Sequence, residues 1–261
     1  MKLKAIIMAC AFALVSAGAQ AQQSGASGPP QSTPKASPSA DAAERARIKE
    51  IVREVLKENP ELVLDAIQVL EARERDEASN KAAQVLGQHR DQLEHAAGDP
   101  IGGNPKGDVT LVEFFDYKCP YCKQVNEQLF DTVKQDGRVR VVFKELPILG
   151  RESLIASHAA LASMSQGLDK YVAFHRALLA ERGPLDEANV MRIAGTVGLD
   201  VAKLKTDMTK STVDERIKRN LELAHELDIR GTPAFVIGDE LIPGAVDAAA
   251  MKAAIAKARG G

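Results

Sequence analysis

Ile48, Val52 and Val55 recur at helical spacing, and Val63, Ile67 and Leu70 repeat that spacing after a break. The pattern predicts two short amphipathic helices within residues 41–95. Asn59-Pro60 separates them, because a residue before proline is pushed out of the helical region and proline suits a first helical turn. A charge-dense stretch, 71–77, follows, and then a weaker apolar pattern at Ala78, Ala82, Val85 and Leu93. So short a helical arm has little interior of its own, so its apolar stripe needs a cover: another copy of itself, or the domain that follows.

Gly98-Asp99-Pro100 and Gly102-Gly103-Asn104-Pro105-Lys106-Gly107 punctuate the chain, which places a domain boundary close to residue 100. The expected arm is 41–97 and the expected second domain 98–261. In that domain 109–115 is a β-rich run, 119–135 reads as helix and 139–145 as strand, a βαβ unit. Residues 151–228 read as helix almost throughout, broken at Gly167, Gly183-Pro184 and Gly198-Leu199-Asp200. The chain then returns to strand at 233–237, turns at Gly238-Asp239, continues through Leu241-Ile242 and closes with an alanine-rich helix over 247–258. The expected class is α/β (α+β), with a helical insertion and a helical arm in front.

The beginning of the chain has a different character. Lys2 and Lys4 precede an apolar stretch over 5–15, and Ala19-Gln20-Ala21 supplies small residues for cleavage, so 1–21 reads as a signal peptide for export to the periplasm. The stretch is shorter than the roughly 20 residues that span a bilayer. Cys10 lies within the apolar run and reads as part of the signal. Residues 22–40 collapse to a composition dominated by Gln, Ser, Gly, Ala and Pro, which buries too little apolar surface to offset ordering, and read as a disordered tether.

Charge and composition narrow the partners. The formal charge of −2 for 261 residues becomes −4 once Lys2 and Lys4 leave, which does not favour nucleic acid. Tryptophan is absent and aromatics are 4% of the chain, against an aromatic-lined carbohydrate or nucleic-acid groove. The mature chain keeps two cysteines, Cys119 and Cys122, in a compartment where disulfides persist.

Cys119-Pro120-Tyr121-Cys122 falls where a strand ends and a helix begins. Unpaired N–H groups and the positive end of the helix dipole stabilise a thiolate there, which makes Cys119 the expected attacking sulfur. Cys122, one helical turn on, is placed to attack a mixed disulfide held on Cys119 and release the product. Half a zinc site is the competing use of such a pair, but zinc normally takes four ligands and no second cysteine pair exists. His158, His175 and His225 lie on expected helices, where scattered histidines are usually surface or packing residues. Cu(I) suits a reduced dithiol, yet no Met-rich or His-rich tract supports a dedicated site, so no metal and no bound cofactor is expected beyond a redox-active Cys119–Cys122 disulfide. Thr232-Pro233 opens the later strand, where a proline commonly marks an edge or bend.

Strand, Cys-x-x-Cys on a helix, then Thr-Pro before a late hairpin and final helix together resemble the thioredoxin superfamily. The resemblance implies that Pro233 is cis and faces the cysteines, and that Thr232, with Pro120 and Tyr121, contacts the substrate peptide. The long helical insertion resembles the DsbA branch, and Val112-Glu113-Phe114-Phe115 matches its strand leading into the active site. That match implies a carboxylate, Glu113, beneath the cysteines, able to shuttle a proton if buried; an exposed strand residue is the alternative.

Glu58-Asn59-Pro60-Glu61-Leu62, Asp65-Ala66-Ile67-Gln68 and Leu70-Glu71-Ala72 resemble the N-terminal segment of ScsC-type proteins, a DsbA-like group linked to copper tolerance. That likeness implies a homo-oligomer, dimer or trimer, with disulfide isomerase or reductase activity on exported proteins and a membrane redox partner. A monomeric DsbA-like oxidase is the alternative within the same chemistry. A periplasmic chaperone or metal-binding protein with incidental cysteines is the alternative outside it.

Overall fold

A computed structural model describes residues 38–260. The expected signal peptide, and the expected tether up to residue 37, lie outside the described residues. The chain divides into two compact units, the first ending at Leu64 and the second running from Asp65 to Gly261.

In the first unit, helix α1 (Pro38–Glu58) is followed by the opening turn of α2 (Glu61–Gln88). The interruption falls at Asn59-Pro60, where the Asn59 side-chain amide donates to the Val55 carbonyl at 3.0 Å and closes the last turn of α1. Surface ion pairs such as Arg53–Glu50 lie along α1. Ile48, Ile51, Val52, Val55, Leu56, Leu62, Val63 and Leu64 are between 41% and 61% exposed, an apolar stripe that the helices of this unit leave uncovered.

In the second unit α2 continues to Gln88 and the short α3 (Arg90–Glu94) follows. The sheet contains β1 (Ile101–Gly103), β2 (Val109–Phe115), β3 (Val139–Glu145), β4 (Ala234–Ile237) and β5 (Glu240–Pro243), in the order β1-β3-β2-β4-β5. β2 and β3 are parallel and joined by α4 (Pro120–Asp136), while the other pairings are antiparallel. The mixed α/β class and the helical insertion read from the sequence are present. The insertion comprises α5 (Arg151–Ser163), α6 (Leu168–Ala180), α7 (Glu187–Thr196), α8 (Val201–Asp207) and α9 (Ser211–Glu226), and α10 (Ala248–Ala258) closes the fold. Asp186, Asp200 and Asp247 cap α7, α8 and α10 by accepting a backbone N–H three residues on. Among the described residues no helix is long and apolar enough to cross a membrane.

Two features depart from the sequence expectation. β1 lies in the glycine-rich stretch where only a domain boundary is expected: its edge pairing with β3 needs backbone and close approach rather than side chains. Gly103 has φ 66°, and a Cβ there would collide with the Val139 carbonyl. The boundary expected near residue 98 also cuts through packed structure. Leu86 and Leu93 are buried with Val112, Phe114, Val142, Leu223 and Val236 on one face of the sheet. Just beyond them, the buried Lys144 ammonium reaches both the Gln92 carbonyl and the Asp99 carboxylate at 2.5 Å.

β2 is the central strand, buried on both faces: Val112 and Phe114 meet Leu86 and Leu93, while Leu111 and Phe115 meet α4 and the inserted helices. Replacing Leu93 by Ala should cost about 2–5 kcal/mol, the usual range for a buried leucine. Urea unfolding of the full chain measures it, and a loss under about 0.5 kcal/mol, the level of a surface change, would contradict this packing.

Candidate active site

β2 hands directly to α4 at the sheet's central strand. Cys119 is the N-cap residue of α4 with extended backbone (φ −70°, ψ 120°), and Pro120 occupies the first helical position. Proline is suited there, since its missing N–H has no helical partner in any case. Cys119 lies 4% exposed and Cys122 is fully buried, both as free thiols. Tyr121 between them is 60% exposed and Pro120 is also at the surface.

The two sulfurs have opposite proton affinities. The Cys119 thiol is lowered to about 5, first by a hydrogen bond from the Cys122 thiol; burial opposes this, and the Thr232 side chain and the Cys122 and Tyr121 backbone N–H groups add to the lowering. The Cys122 thiol is pushed far up by burial, by its bond to Cys119 and by the charge of Glu113. The Cys119 sulfur is therefore the ionised one, while the Cys122 sulfur holds its proton.

Thr232-Pro233 reaches the site from β4. Phe114 pairs with Ala234 in the β2–β4 ladder, so Pro233 falls beside the end of β2. The Thr232–Pro233 bond is cis, Pro233 is buried and Thr232 half-buried. Cys119 Sγ lies 3.1 Å from the Thr232 carbonyl, to which the protonated thiol donates.

Glu113 is 1% exposed, and neither carboxyl oxygen has a protein hydrogen-bond partner. Burial, then the nearby Cys119 charge, raises it to about 8. The exposed alternative for Glu113 does not hold, because β2 is covered on both faces.

The structure adds residues to which the sequence gave no role in the site. Asp116 is fully buried, and its carboxylate accepts from the backbone N–H groups of Lys118 (2.7 Å), Ile148 (2.8 Å) and Leu149 (3.0 Å), while its carbonyl accepts from Cys119 N at 3.0 Å. It ties the loop entering α4 to the loop leaving β3. Tyr117, Glu145, Tyr171 and His175 are buried nearby on the same side of the sheet. The bulky Phe-Phe-Asp-Tyr run before Cys119 and the Lys-Glu end of β3 were the available signals, but polarity alone does not reveal burial in a strand covered twice. His158, by contrast, pairs with Asp214 at 2.7 Å near the surface. Among the described residues no cluster of three or more His, Cys, Asp or Glu side chains is arranged to hold a metal ion.

A redox-type cysteine pair at a strand-to-helix junction, faced by a cis-proline loop, defines a thioredoxin-like fold with a DsbA-type helical insertion. Residues 110–256 match the DSBA-like thioredoxin domain, and residues 44–77 match the copper resistance protein ScsC N-terminal domain. The chain belongs to the DsbA-like thioredoxin-domain family, whose members are thiol-disulfide oxidoreductases.

A thioredoxin-like oxidoreductase from Silicibacter pomeroyi DSS-3 is 45% identical, covering 66% of this chain and 98% of that one with a TM-score of 0.64. Proteus mirabilis ScsC, in a structure described as a transitional conformation, is 32% identical over 83% of this chain and 95% of its own, with a TM-score of 0.62. Disulfide bond formation protein D of Bacillus subtilis is 26% identical over 61% of this chain and 77% of its own length. The chain also matches a Na(+)/H(+) antiporter, NhaA 3 of Salinispora tropica, at 28% identity, but spans only 24% of that protein.

Two predictions come from the site's electrostatics. The rate of alkylation of the reduced protein should rise with a midpoint near pH 5 and label Cys119 alone, leaving Cys122 unmodified until the protein is unfolded. Mass spectrometry after a pH series of iodoacetamide pulses reads both. Secondly, Glu113 holds its proton in the folded state to about 8, against 4.5 ordinarily, so its contribution to stability is intact below 4.5 and is lost as pH rises through 8. Glu145 is raised to the same value, again by burial. With both cysteines replaced by serine, Glu113→Gln should therefore make the fall in unfolding free energy across that window shallower; an unchanged slope would refute the burial assigned to Glu113.

Proposed function

We propose that this chain is a periplasmic thiol-disulfide exchange enzyme that acts on exported proteins through Cys119 and Cys122, as an oligomer and chiefly as an isomerase or reductase. The observation that carries the reading is the division of proton affinity between two sulfurs one helical turn apart, with the outer one ionised near pH 5. A thiolate is the nucleophile of disulfide exchange, and a resolving thiol must stay protonated until needed.

The Cys119 thiolate attacks a client disulfide, forms a mixed disulfide and releases a client thiolate. Thr232 and the exposed Pro120-Tyr121 edge contact the client backbone and side chains beside Cys119. In isomerisation, another client thiolate attacks the client sulfur of the mixed disulfide, which expels Cys119 as the thiolate and leaves the enzyme reduced. In reduction, Glu113 as carboxylate takes the Cys122 proton, and the Cys122 thiolate attacks Cys119 Sγ. The Cys119–Cys122 disulfide forms and the client sulfur leaves with its electron pair; a membrane redox partner then returns two electrons to the pair, and the proton held on Glu113 goes back to Cys122, restoring the Cys119 thiolate and the Cys122 thiol.

The arm supports the oligomer. Its uncovered apolar stripe and its match to the ScsC N-terminal domain favour a second copy of this chain as cover. Export is supported by the leader-like residues 1–21 and by a relative described as a periplasmic thioredoxin-like protein from Salmonella enterica serovar Typhimurium.

A monomeric oxidase is the second reading, and one observation favours it. Stabilising the Cys119 thiolate stabilises the reduced pair, which makes its disulfide the stronger oxidant. Reshuffling of a scrambled multi-disulfide substrate separates the two. The comparison is between the mature chain and a version starting at Ala78, which keeps Leu86 and Leu93, with the solution mass of each. The expected result is an oligomer that reshuffles and a monomer with at least about tenfold less reshuffling. If both are monomers that oxidise reduced substrate without reshuffling, the oxidase reading replaces this one. Replacing both cysteines by serine should abolish exchange; if client folding is unaffected by it, the redox assignment is wrong and a chaperone role takes its place.

A further inference from the structure

No atom of Asp116 enters the exchange steps above, yet backbone N–H groups from two loops converge on its fully buried carboxylate. Oδ1 accepts from Lys118 N at 2.7 Å, an Asx turn that closes the loop between β2 and α4. Oδ2 accepts from Ile148 N at 2.8 Å and Leu149 N at 3.0 Å, in the loop between β3 and α5. A neutral amide has one acceptor oxygen, so it could serve the first loop or the second but not both. A carboxylate serves both, which is a physical reason to keep a charge in the core although its desolvation is costly.

The main chain of the same residue meets both cysteines. Its carbonyl accepts from Cys119 N at 3.0 Å. Its N–H donates to the Cys122 sulfur: burial, the bond to Cys119 and the charge of Glu113 push that thiol up, and the Asp116 N–H acts the other way. The peptide that carries this N–H is fixed on its opposite edge, where the Phe115 carbonyl accepts from Leu146 N at 2.8 Å. Leu146 opens the loop whose Ile148 and Leu149 N–H groups the Asp116 carboxylate holds. The side chain therefore fixes the loop before α4 directly, and it fixes the peptide facing Cys122 through the loop after β3.

We propose that Asp116 is a positioning residue for the resolving step: its carboxylate locks the two loops, and so aims its own peptide N–H at the Cys122 sulfur while its carbonyl holds Cys119 in place. The inference rests on the resolving role given to Cys122 above. In that step the Cys122 S–H bond breaks and its proton passes to the Glu113 carboxylate. The sulfur keeps the electron pair and bonds to Cys119 Sγ, and the bond from Cys119 to the client breaks with its electrons on the client sulfur. Cys122 is fully buried, so its thiolate forms away from water. A hydrogen bond to a thiolate is stronger than one to a thiol, and a donor already in place needs no rearrangement to supply it.

The charged and titratable groups around this peptide come from several elements. Glu113 on β2 and Cys119 at the head of α4 act on Cys122. Tyr117 in the loop and Lys123 on α4 lie in the field of the Asp116 carboxylate. Lys123 Nζ is held by the Glu181 carbonyl, and Lys118 is paired with Glu152 on α5. Each ammonium has a partner of its own, which leaves the carboxylate to the backbone N–H groups.

The test is release of a cysteine peptide attached to Cys119, followed in single turnovers of the full mature chain across a pH series. Asp116→Ala should slow release by about tenfold or more, the scale of one hydrogen bond to a charged group, and move the rise of the rate to higher pH. Alkylation of Cys119 in the same variant should keep its midpoint near pH 5, because its donors are Cys122, Thr232 and Tyr121. A general loosening of the site would move both midpoints and overturn the positioning role. Asp116→Asn keeps one acceptor oxygen and should fall between Asp116→Ala and wild type; it carries the test if Asp116→Ala fails to fold. Release at the wild-type rate and pH, or faster release in Asp116→Asn than in wild type, would reduce Asp116 to a loop staple. Cys122→Ser separates the two readings: it should leave the mixed disulfide intact, and peptide release from it at the wild-type rate would overturn the resolving role of Cys122, and this proposal with it.

Discussion

Cys119 is ionised because the chain stops being a strand and becomes a helix at that residue. The N-cap position gives its sulfur the N–H groups of Tyr121 and Cys122, and the helical turn brings the Cys122 thiol round as the strongest donor. Everything else in the second unit serves that junction. β2 must be central so that the junction is braced on both sides, and it must be parallel to β3 so that α4 packs across the sheet between them. Asp116 then fixes the turn, using one buried carboxylate to satisfy three backbone N–H groups from two loops.

Burial, the same condition that makes the core, also sets the chemistry. It raises the Cys122 thiol and the Glu113 and Glu145 carboxyls, and it lowers His175. Cys119, with donors on several sides, moves the other way, toward its charged form. Thr232 and Pro233 lie just before β4, which is held beside β2 by antiparallel pairing and adds no charge at this point.

The arm answers to a different constraint. Its helices are built soundly, with the Asn59 side chain closing α1 and Pro60 before the start of α2, yet their large apolar side chains face solvent. Burial would have to come from outside a single copy of those residues, and association is the general route by which such a stripe is covered. Leu86 and Leu93, further along, are already buried against the sheet, so the chain changes from uncovered to packed helix before β1 begins.

Much of this was readable from residues alone. The Asn59-Pro60 break, the βαβ unit, the Gly238-Asp239 hairpin and the strand–Cys-x-x-Cys–helix order depend on local chemistry that a few neighbouring residues determine, and the family resemblance followed from their order. β1 was not readable, because an edge strand rich in glycine is recruited by backbone pairing and carries no side-chain pattern. Nor was the packing of Leu86 and Leu93, whose spacing resembles that of the uncovered arm. The proton affinities of Glu113 and Glu145, and the box formed by Tyr117, Tyr171 and His175, belong to the fold in space. The Tyr117–His175 and Tyr171–Glu145 bonds join residues 58 and 26 positions apart, Glu113 is buried without a partner, and desolvation is a property of the assembled core that no local sequence encodes.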